Sequence, residues 1–392
     1  MQLSTSRTVW VDYLRSFITV LVVAHHSSLA YTTFAKFDKT AYIRSTHAIV
    51  DSARWVGLDI FENFNDVFFM SLMFFIAGLF LVKSIQKKGA FDFVKERFYR
   101  LFIPFILGGT LINLIAHYPS YYVAHGESTF KAYIIDFFEV EKWPVGPPWF
   151  IWVLFLFNVL FALSFYLVPE WPDKFSSFLA RIKSKPTYLI AFWFLFTFVL
   201  YVPIAFWIGA GTWTGFGPFD FQLSRIALYL GYFLFGAVVG NANFNEGMFS
   251  TQSSLVRNWR LWIFLCLAVY VVLILVPGSL TGLVKEQKIT EFFGYLIYYS
   301  IYVASCTFSC ITFLTTFRAL VHRQKALWNS LSENAYLIYL LHYVFVIWCQ
   351  FLLLGVDIHA SVKFVITFVV AVSASWLLSI LIRKNAVFQR YL

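Results

Sequence analysis

Residues 188–208 read YLIAFWFLFTFVLYVPIAFWI, a stretch without a charged side chain. An α-helix needs about 20 mainly apolar residues to cross the hydrocarbon core of a bilayer, so this stretch predicts a membrane-spanning helix. The chain has further runs of this kind at 9–33, 64–86, 101–118, 148–168, 222–241, 260–277, 290–317, 334–355 and 361–383. They are continuously apolar rather than alternating, which excludes a β-barrel. The sequence therefore predicts an all-α polytopic membrane protein, a bundle of about ten transmembrane helices.

The composition of the whole chain agrees with this prediction. Of the 392 residues, 60% are hydrophobic and 13% are charged, whereas soluble domains carry roughly 25% charged residues. This balance excludes a soluble enzyme, a disordered chain and a secreted disulfide scaffold. The four cysteines lie in apolar runs without metal-ligand spacing, so we interpret them as packing residues. We expect one membrane domain over 1–392, without a separate soluble part.

The distribution of Lys and Arg predicts the orientation in the membrane. With the N-terminus inside, the inner segments hold roughly twice as many of these residues as the outer ones, as the positive-inside rule requires. The inner residues then include Arg7, Lys183, Lys185 and Arg390. We expect both termini in the cytoplasm and segments 34–63 and 119–147 outside. The net charge of +10 is explained by this bias, so no nucleic-acid partner is expected.

The first span carries four ionisable residues, which are Asp12, Arg15, His25 and His26. At ~100° per residue, Asp12, Arg15 and His26 share one stripe, which should face the bundle interior, and His25 falls ~80° from the Arg15 direction. His26 lies ~16 Å along the axis from Arg15, beyond the midplane. Ionisable groups at this depth mark functional sites; a purely structural Asp12–Arg15 pair is the alternative. The two charges also argue for an uncleaved helix rather than a signal peptide.

A second basic cluster follows the second span. Segment 87–102 has apolar residues at helical spacing, namely Phe91, Val94, Phe98 and Leu101. This pattern predicts an amphipathic helix at the cytoplasmic membrane surface between spans two and three. Arg97 and Arg100 are neighbours on one helix face and can grip a phosphate with forked hydrogen bonds; ordinary positive-inside anchoring is the alternative. Pro104 should stop or kink the chain just beyond.

The other polar residues near the spans carry weaker signals. The candidates for pocket or acceptor residues are His25, Trp149, Tyr339 and His342. Arg225 is either a buried partner or a snorkelling side chain. The histidines expected to be solvated at the outer edges are His47, His117, His125 and His359. The sequence has no glycine-rich phosphate loop, no metal-ligand cluster and no GxSxG motif, which argues against an ATPase or a zinc protease and predicts no metal cofactor.

Several short motifs resemble those of the acyltransferase-3 family of integral membrane acyltransferases. Asp12-Tyr-Leu-Arg15 opens the first span, and ten residues separate Arg15 from His26. Further similar motifs are FFIAG at 74–78, RFYRLFIP at 97–104, PWF at 148–150, LGYFLFG at 230–236 and SENAYLIYLLH at 332–342. Many members have Ser where this chain has Ala77, so a hydroxyl-dependent role is not expected there.

The resemblance implies a membrane O-acyltransferase, an enzyme that transfers groups other than aminoacyl groups. The donor would be cytoplasmic acyl-CoA, usually acetyl-CoA, and the acceptor a hydroxyl of a cell-envelope carbohydrate. The sequence is also similar to the glucan-modifying, glucans biosynthesis protein C-like branch, which implies a succinyl donor and a bacterial inner membrane.

The roles that follow from this resemblance fall on the residues singled out above. His26 would be the general base or a transient acyl carrier. Asp12 and Arg15 would organise the donor channel, and Arg97 with Arg100 would hold the donor phosphates.

Two other functions fit the same residues. Intramembrane Asp, Arg and His also suit a proton-coupled secondary transporter of a small anionic or sugar substrate, although Gly and Pro fall mostly at span ends here, whereas transporters often have broken helices near the midplane. A non-catalytic partner in lipid or polysaccharide export is the third interpretation.

Overall fold

The computed structural model describes residues 8–127, 129–182 and 186–385, so Arg7, Lys183, Lys185 and Arg390 lie outside the described residues. Within that part of the chain the α-helices are α1 (Val9–Leu29), α2 (Val56–Gly78), α3 (Leu81–Lys88), α4 (Ala90–Arg97), α5 (Ile103–Leu107), α6 (Asn113–His125), α7 (Phe130–Ile135), α8 (Trp149–Leu167), α9 (Trp171–Ile182), α10 (Pro186–Ile208), α11 (Ile226–Asn241), α12 (Ser254–Arg257), α13 (Trp259–Lys285), α14 (Glu291–Leu320), α15 (Ala326–Leu352) and α16 (Ala360–Ile382). Two short antiparallel strands, β1 (Trp213–Thr214) and β2 (Phe221–Gln222), pair in the segment between α10 and α11.

The predicted class, an all-α polytopic membrane protein, is confirmed. In the described ranges, nine helical segments are long and apolar enough to cross a membrane. They match nine of the expected spans. The remaining span is α1, whose 21 residues reach ~32 Å. It is more polar than the others, and it packs against α2, α14, α15 and α16 in the interior of the bundle.

The helix that contains the second span begins earlier than predicted. It starts at Val56 and continues through α3 to Lys88 as one long segment, whereas the apolar run begins at 64. The added turns carry Glu62, and Asp66 follows one turn later, inside the predicted span; both residues line a cavity inside the protein. Because these carboxylates face a cavity and not lipid, the helix can continue through them.

Pro104 does not stop the chain, because Ala90–His125 forms one helical segment; a kink at this proline, which was the other expectation, stays a prediction. It contains π-helical turns at Phe98–Phe102 and Gly108–Ile112. Pro104 has no N–H to donate to the carbonyl four residues earlier, which is that of Arg100. This carbonyl instead accepts a hydrogen bond of 2.8 Å from Tyr336 Oη. The helix therefore passes the proline without leaving a carbonyl unpaired.

Glycines allow α2 and α11 to approach closely. A Cβ atom on Gly236 would lie 2.1 Å from the Phe75 carbonyl oxygen, and one on Gly240 would lie 1.9 Å from that of Leu79. Small residues spaced by four allow such backbone contact between membrane helices. The contact matters for the site because α2 carries the carboxylates described below.

A buried ion pair fixes the long segment between α1 and α2. Lys363 Nζ on α16 lies 2.6 Å from Asp51 Oδ2, and each side chain is 1% exposed. Asp51 also accepts a hydrogen bond from the backbone N–H of Ala53. The Lys363 ammonium group is thus enclosed by protein.

We expect Gly236→Ala to destabilise the protein, because the added methyl group meets backbone that cannot rotate away. Overpacking of this kind costs about 1–3 kcal/mol. Gly278→Ala in α13 is the matched control, since nothing lies within 4 Å of its Cβ position. Thermal unfolding in detergent, followed by tryptophan fluorescence, measures both. A Gly236→Ala protein that unfolds at the wild-type temperature would contradict the close approach of α2 and α11.

We expect Asp51→Asn to lower the free energy of unfolding by about 3–5 kcal/mol, because it leaves the buried Lys363 ammonium without a counter-charge. Glu170→Gln is the control: its partner Lys174 is 3.1 Å away, but the two side chains are 75% and 70% exposed. Such exposed pairs contribute at most about 1 kcal/mol. Equal losses in the two variants, measured by the same unfolding assay, would show that burial does not strengthen the Asp51–Lys363 pair.

Candidate active site

The largest described cavity that α1 lines has a volume of about 990 Å³ and lies at the C-terminal end of that helix. We call it the histidine cavity, because its wall includes His25, His26, His47 and His117. Its wall also includes aromatic and acidic side chains, namely Phe34, Tyr42, Glu62, Asp66, Phe69, Glu141, Trp149, Trp213, Phe216, Asp220, Tyr229, Tyr339 and Tyr343. A space of this size, lined by flat rings and polar groups, suits a small polar organic ligand.

A second cavity, of about 470 Å³, lies nearer the N-terminal end of α1. We call it the arginine cavity, because its wall includes Arg15, Arg97, Arg100 and Arg383. Glu333, Tyr336 and Asn158 add polar groups, and Ala77 lies in the apolar part of the wall. Four guanidinium groups around one space favour an anionic ligand with several oxygens.

Tyr339 lies in the walls of both cavities. Its hydroxyl donates a hydrogen bond to the carbonyl of Pro147, just before α8. The first two residues of α8 also lie at this boundary: Trp149 lines the histidine cavity, and Phe150 lines the arginine cavity. The two cavities therefore lie back to back, with Tyr339 between them.

The polar stripe of α1 reaches both cavities. Arg15 lines the arginine cavity and His26 lines the histidine cavity, with ~16 Å of helix between them. Asp12 lines neither cavity; its Oδ1 lies 3.3 Å from Arg15 Nη2. The structure thus brings Asp12 and Arg15 together and separates them from His26 along the helix.

The His26 ring lies among other aromatic rings. Its centroid is 5.4 Å from that of His342, 5.3 Å from that of Tyr343 and 6.4 Å from that of His47. His26 Nδ1 is buried and has no hydrogen-bond partner in the described structure. Buried polar atoms are nearly always paired, so the unpaired nitrogen and the cavity beside the ring make His26 a candidate to act on a ligand.

His342 has a defined tautomer in its neutral form. Its Nδ1 lies 2.7 Å from the carbonyl oxygen of Tyr339. A carbonyl only accepts, so the proton must be on Nδ1, and Nε2 carries the lone pair. Nε2 is buried without a partner among the described residues. His342 therefore places a second free imidazole lone pair close to His26, although its ring does not line the cavity.

Gln350 on α15 connects the segment between α1 and α2 to the site. Its amide nitrogen donates to the carbonyls of His26 (3.1 Å) and Ser27 (3.3 Å), so its Oε1 must accept from His47 Nε2 at 2.8 Å. Burial lowers the pKa of His47 to about 3 despite this hydrogen bond. His47 is therefore neutral at physiological pH and is held as a fixed wall of the histidine cavity.

The prediction that four outer histidines are solvated is wrong for two of them. His47 is 4% exposed and His117 is 5% exposed. His117 Nδ1 contacts the Asn113 carbonyl at 3.0 Å. They are buried because the segment between α1 and α2 closes over α6 and α15, which no local pattern reveals. His125 and His359 lie at exposed positions as expected; His359 caps α16 by accepting from the Ser361 N–H.

Two carboxylates of α2 lie at the site, and neither was among the residues predicted from the sequence. Glu62 Oε1 lies 3.9 Å from His25 Nε2. One turn further, Asp66 forms a two-pronged pair with Arg225, with distances of 3.0 and 2.6 Å. Arg225 is 8% exposed and lies 5.3 Å from the Tyr302 ring, so it is a buried partner and not a snorkelling side chain. The spacing of the two acids by four residues on one helix face was the available signal.

Arg97 and Arg100 reach the arginine cavity from the start of the Ala90–His125 segment. The Arg97 guanidinium lies 5.0 Å from the Phe93 ring, and its Nε is buried without a hydrogen-bond partner in the described ranges. Arg100 Nη1 contacts Glu96 Oε1 at 3.1 Å. A π-helical turn begins at Phe98, between the two arginines. Both side chains nevertheless line the same space, and an incoming anion would satisfy the Arg97 nitrogen.

The cysteines and histidines do not form a metal site in the part of the chain that the structure describes. Cys266, Cys306 and Cys310 are buried, and Cys349 is half-buried. Cys306 Sγ lies 3.3 Å from Tyr232 Oη. These contacts fit packing residues.

Comparison with known proteins gives one match. A family model described as "Acyltransferase domain" (Acyl_transf_3) matches residues 8–380. No curated protein matches the chain, and no solved structure does. The matched range contains α1, both α2 carboxylates and all the cavity residues named above except Arg383.

Proposed function

The chain belongs to this acyltransferase family and is an integral membrane acyltransferase; on that premise we propose that it moves an acyl group from cytoplasmic acyl-CoA to a hydroxyl of a cell-envelope carbohydrate. The observation that carries the proposal is the shared wall at Tyr339 between a cavity rich in arginine and a cavity rich in histidine. A polyanionic donor and an uncharged acceptor need unlike environments, and the two cavities supply them on opposite sides of one residue.

The donor would enter the arginine cavity. Coenzyme A is polyanionic, and the charge-assisted bonds of Arg97 and Arg100 suit its phosphates. Its narrow pantetheine arm would then extend past Tyr339 toward His26. The ~16 Å of helix between Arg15 and His26 is a distance that an extended arm of this kind spans. Acetyl-CoA is the simplest donor for this route, and a succinyl donor would follow the same path.

The acceptor would occupy the histidine cavity. Trp149 and Trp213 line it with ring centroids 5.5 Å apart, and the apolar faces of sugar rings pack well against such surfaces. Asp220 and Glu141 also line it and supply acceptors for sugar hydroxyls. This combination supports a carbohydrate better than a lipid tail, which would need a wall without carboxylates.

His26 would act as the general base. Its free nitrogen takes the proton of the acceptor hydroxyl while the hydroxyl oxygen attacks the thioester carbonyl carbon. The carbon–sulfur bond then breaks, and the imidazolium returns the proton to the departing thiolate of coenzyme A. In the alternative route the imidazole itself attacks the thioester carbonyl carbon, and the carbon–sulfur bond breaks to release the thiolate of coenzyme A. The acceptor hydroxyl then attacks the acyl group on the ring and displaces the imidazole, and its proton passes to the thiolate. In both routes Asp12 and Arg15 organise the donor channel, and the enclosed site limits loss of the thioester to water.

The orientation and location follow the same proposal. Donor binding at the arginine cavity requires that end to face the cytoplasm, which agrees with the Lys and Arg bias and with both termini inside. The membrane is then the inner membrane of a bacterium, with the acceptor outside. The family assignment favours this account over the transporter and export-partner interpretations.

We expect His26→Ala to lower kcat about 10²–10⁴-fold, which is the usual contribution of a positioned base. Release of coenzyme A thiol in the presence of a cell-envelope glycan extract measures the rate. His322→Ala, at an exposed position outside both cavities, should keep wild-type activity. Full activity of His26→Ala would remove His26 from the mechanism. Incubation with radiolabelled acyl-CoA alone separates the two routes, because only the acyl-carrier route labels the protein.

We expect Arg97→Ala combined with Arg100→Ala to raise the KM for acyl-CoA at least about 10-fold with little change in kcat, because charge-assisted bonds to phosphate each contribute about 1.5–3 kcal/mol. The control is Lys87→Ala combined with Lys95→Ala, which removes two charges from exposed positions of the same region. If both double variants shift KM equally, the effect comes from general surface charge and not from a phosphate site.

A further inference from the structure

Arg383 lies in the wall of the arginine cavity, and the proposed mechanism gives it no role. It follows directly after α16. It also lies beyond residue 380, where the family match ends. The family match therefore gives no role to this cation.

The guanidinium of Arg383 is held against α15. Its Nη1 donates a hydrogen bond to the backbone carbonyl of Glu333. Three residues further along α15, Tyr336 Oη donates to the carbonyl of Arg100. Positions three apart share one helix face, so the C-terminal end of α16 and the Arg100 segment both attach to one strip of α15.

The charge of Arg383 is not cancelled by the hydrogen bond that holds it, because a backbone carbonyl is neutral. In contrast, Arg15 is 3.3 Å from Asp12 and Arg100 is 3.1 Å from Glu96. A ligand phosphate at this end of the cavity therefore depends on Arg383.

The position of Arg383 along the cavity is set by α15. Ser16 Oγ and Ser332 Oγ lie 2.7 Å apart, so Arg15 and Glu333 are at similar depth. From Glu333 to Tyr339 the helix rises ~9 Å. Arg383, bound to the Glu333 carbonyl, thus lies at the end of the cavity away from Tyr339, where the reacting end of a donor would be.

We propose that Arg383 binds the phosphate at the nucleotide end of acyl-CoA, the 3′-phosphate, and so helps to select this donor over one that lacks that group. The inference rests on the proposed function, because it assumes that acyl-CoA occupies the arginine cavity with its acyl end toward Tyr339. The phosphate of an anionic lipid headgroup has the same chemistry, and the experiment below separates the two sources.

The test measures dissociation constants of coenzyme A and of 3′-dephospho-coenzyme A with the full-length protein in nanodiscs of zwitterionic lipid. We expect Arg383→Ala to weaken binding of coenzyme A about 10-fold or more and binding of the dephospho compound less than about 2-fold. Arg383→Lys keeps the charge and should lose less than Arg383→Ala. Lys384→Ala removes the neighbouring charge from an exposed position and should change neither constant.

The comparison between the two ligands separates phosphate recognition from a structural role. Equal weakening for both compounds, or none for either, would overturn the proposal. An effect of Arg383→Ala that appears only after anionic lipid is added would assign the arginine to a headgroup and also overturn it. If the wild-type protein binds neither compound, the proposed donor site itself is wrong. If the wild-type protein binds both compounds and the Arg383→Ala variant has the same dissociation constants, only the role of Arg383 is wrong.

Discussion

The hydrocarbon core of a membrane offers no water to an imidazole or a guanidinium group, so the polar side chains of α1 must face protein or a cavity of the bundle and not lipid. The bundle meets this constraint by packing α1 against α2, α14, α15 and α16. The rest of the site follows from that placement. Because the helix lies inside the bundle, Arg15 and His26 open into internal cavities near its two ends and not into lipid.

The spans and the polar stripe of α1 were predictable, because they depend on composition and on the helical period alone. Features set by distant partners were not. Pro104 lies within a continuous helix because Tyr336, 236 positions from Arg100 in sequence, satisfies the carbonyl that a proline leaves free. His47 can be buried because Gln350, 303 positions away, accepts a hydrogen bond from its ring. The rules that proline ends a helix and that a histidine at the membrane edge is solvated both assume that a polar group loses its hydrogen bond. They fail where a residue that is distant in sequence supplies that hydrogen bond.

The same distinction separates the predicted site residues from those that were missed. Arg97 and Arg100 were identified because residues three apart share one helix face, where two guanidinium groups can grip a phosphate. Asp66 was not, since a single acid near the start of an apolar run looks like a helix end. Its meaning depends on Arg225, 159 positions away, which pairs with it through both oxygens. This pair lets α2 extend its carboxylates along the histidine cavity, where Glu62 approaches His25.

In the proposed reaction, the wall at Tyr339 would separate a donor from an acceptor that comes from the other side of the membrane. The charged part of an acyl-CoA donor would stay beside the four arginines of the arginine cavity. Only the thioester, which is uncharged, would have to pass the level of Tyr339. The hydroxyl of Tyr339 is already bound to the Pro147 carbonyl, which joins α15 to the start of α8. A divider held in this way would let the acyl group of the proposed donor cross while the nucleotide and the carbohydrate stay on their own sides.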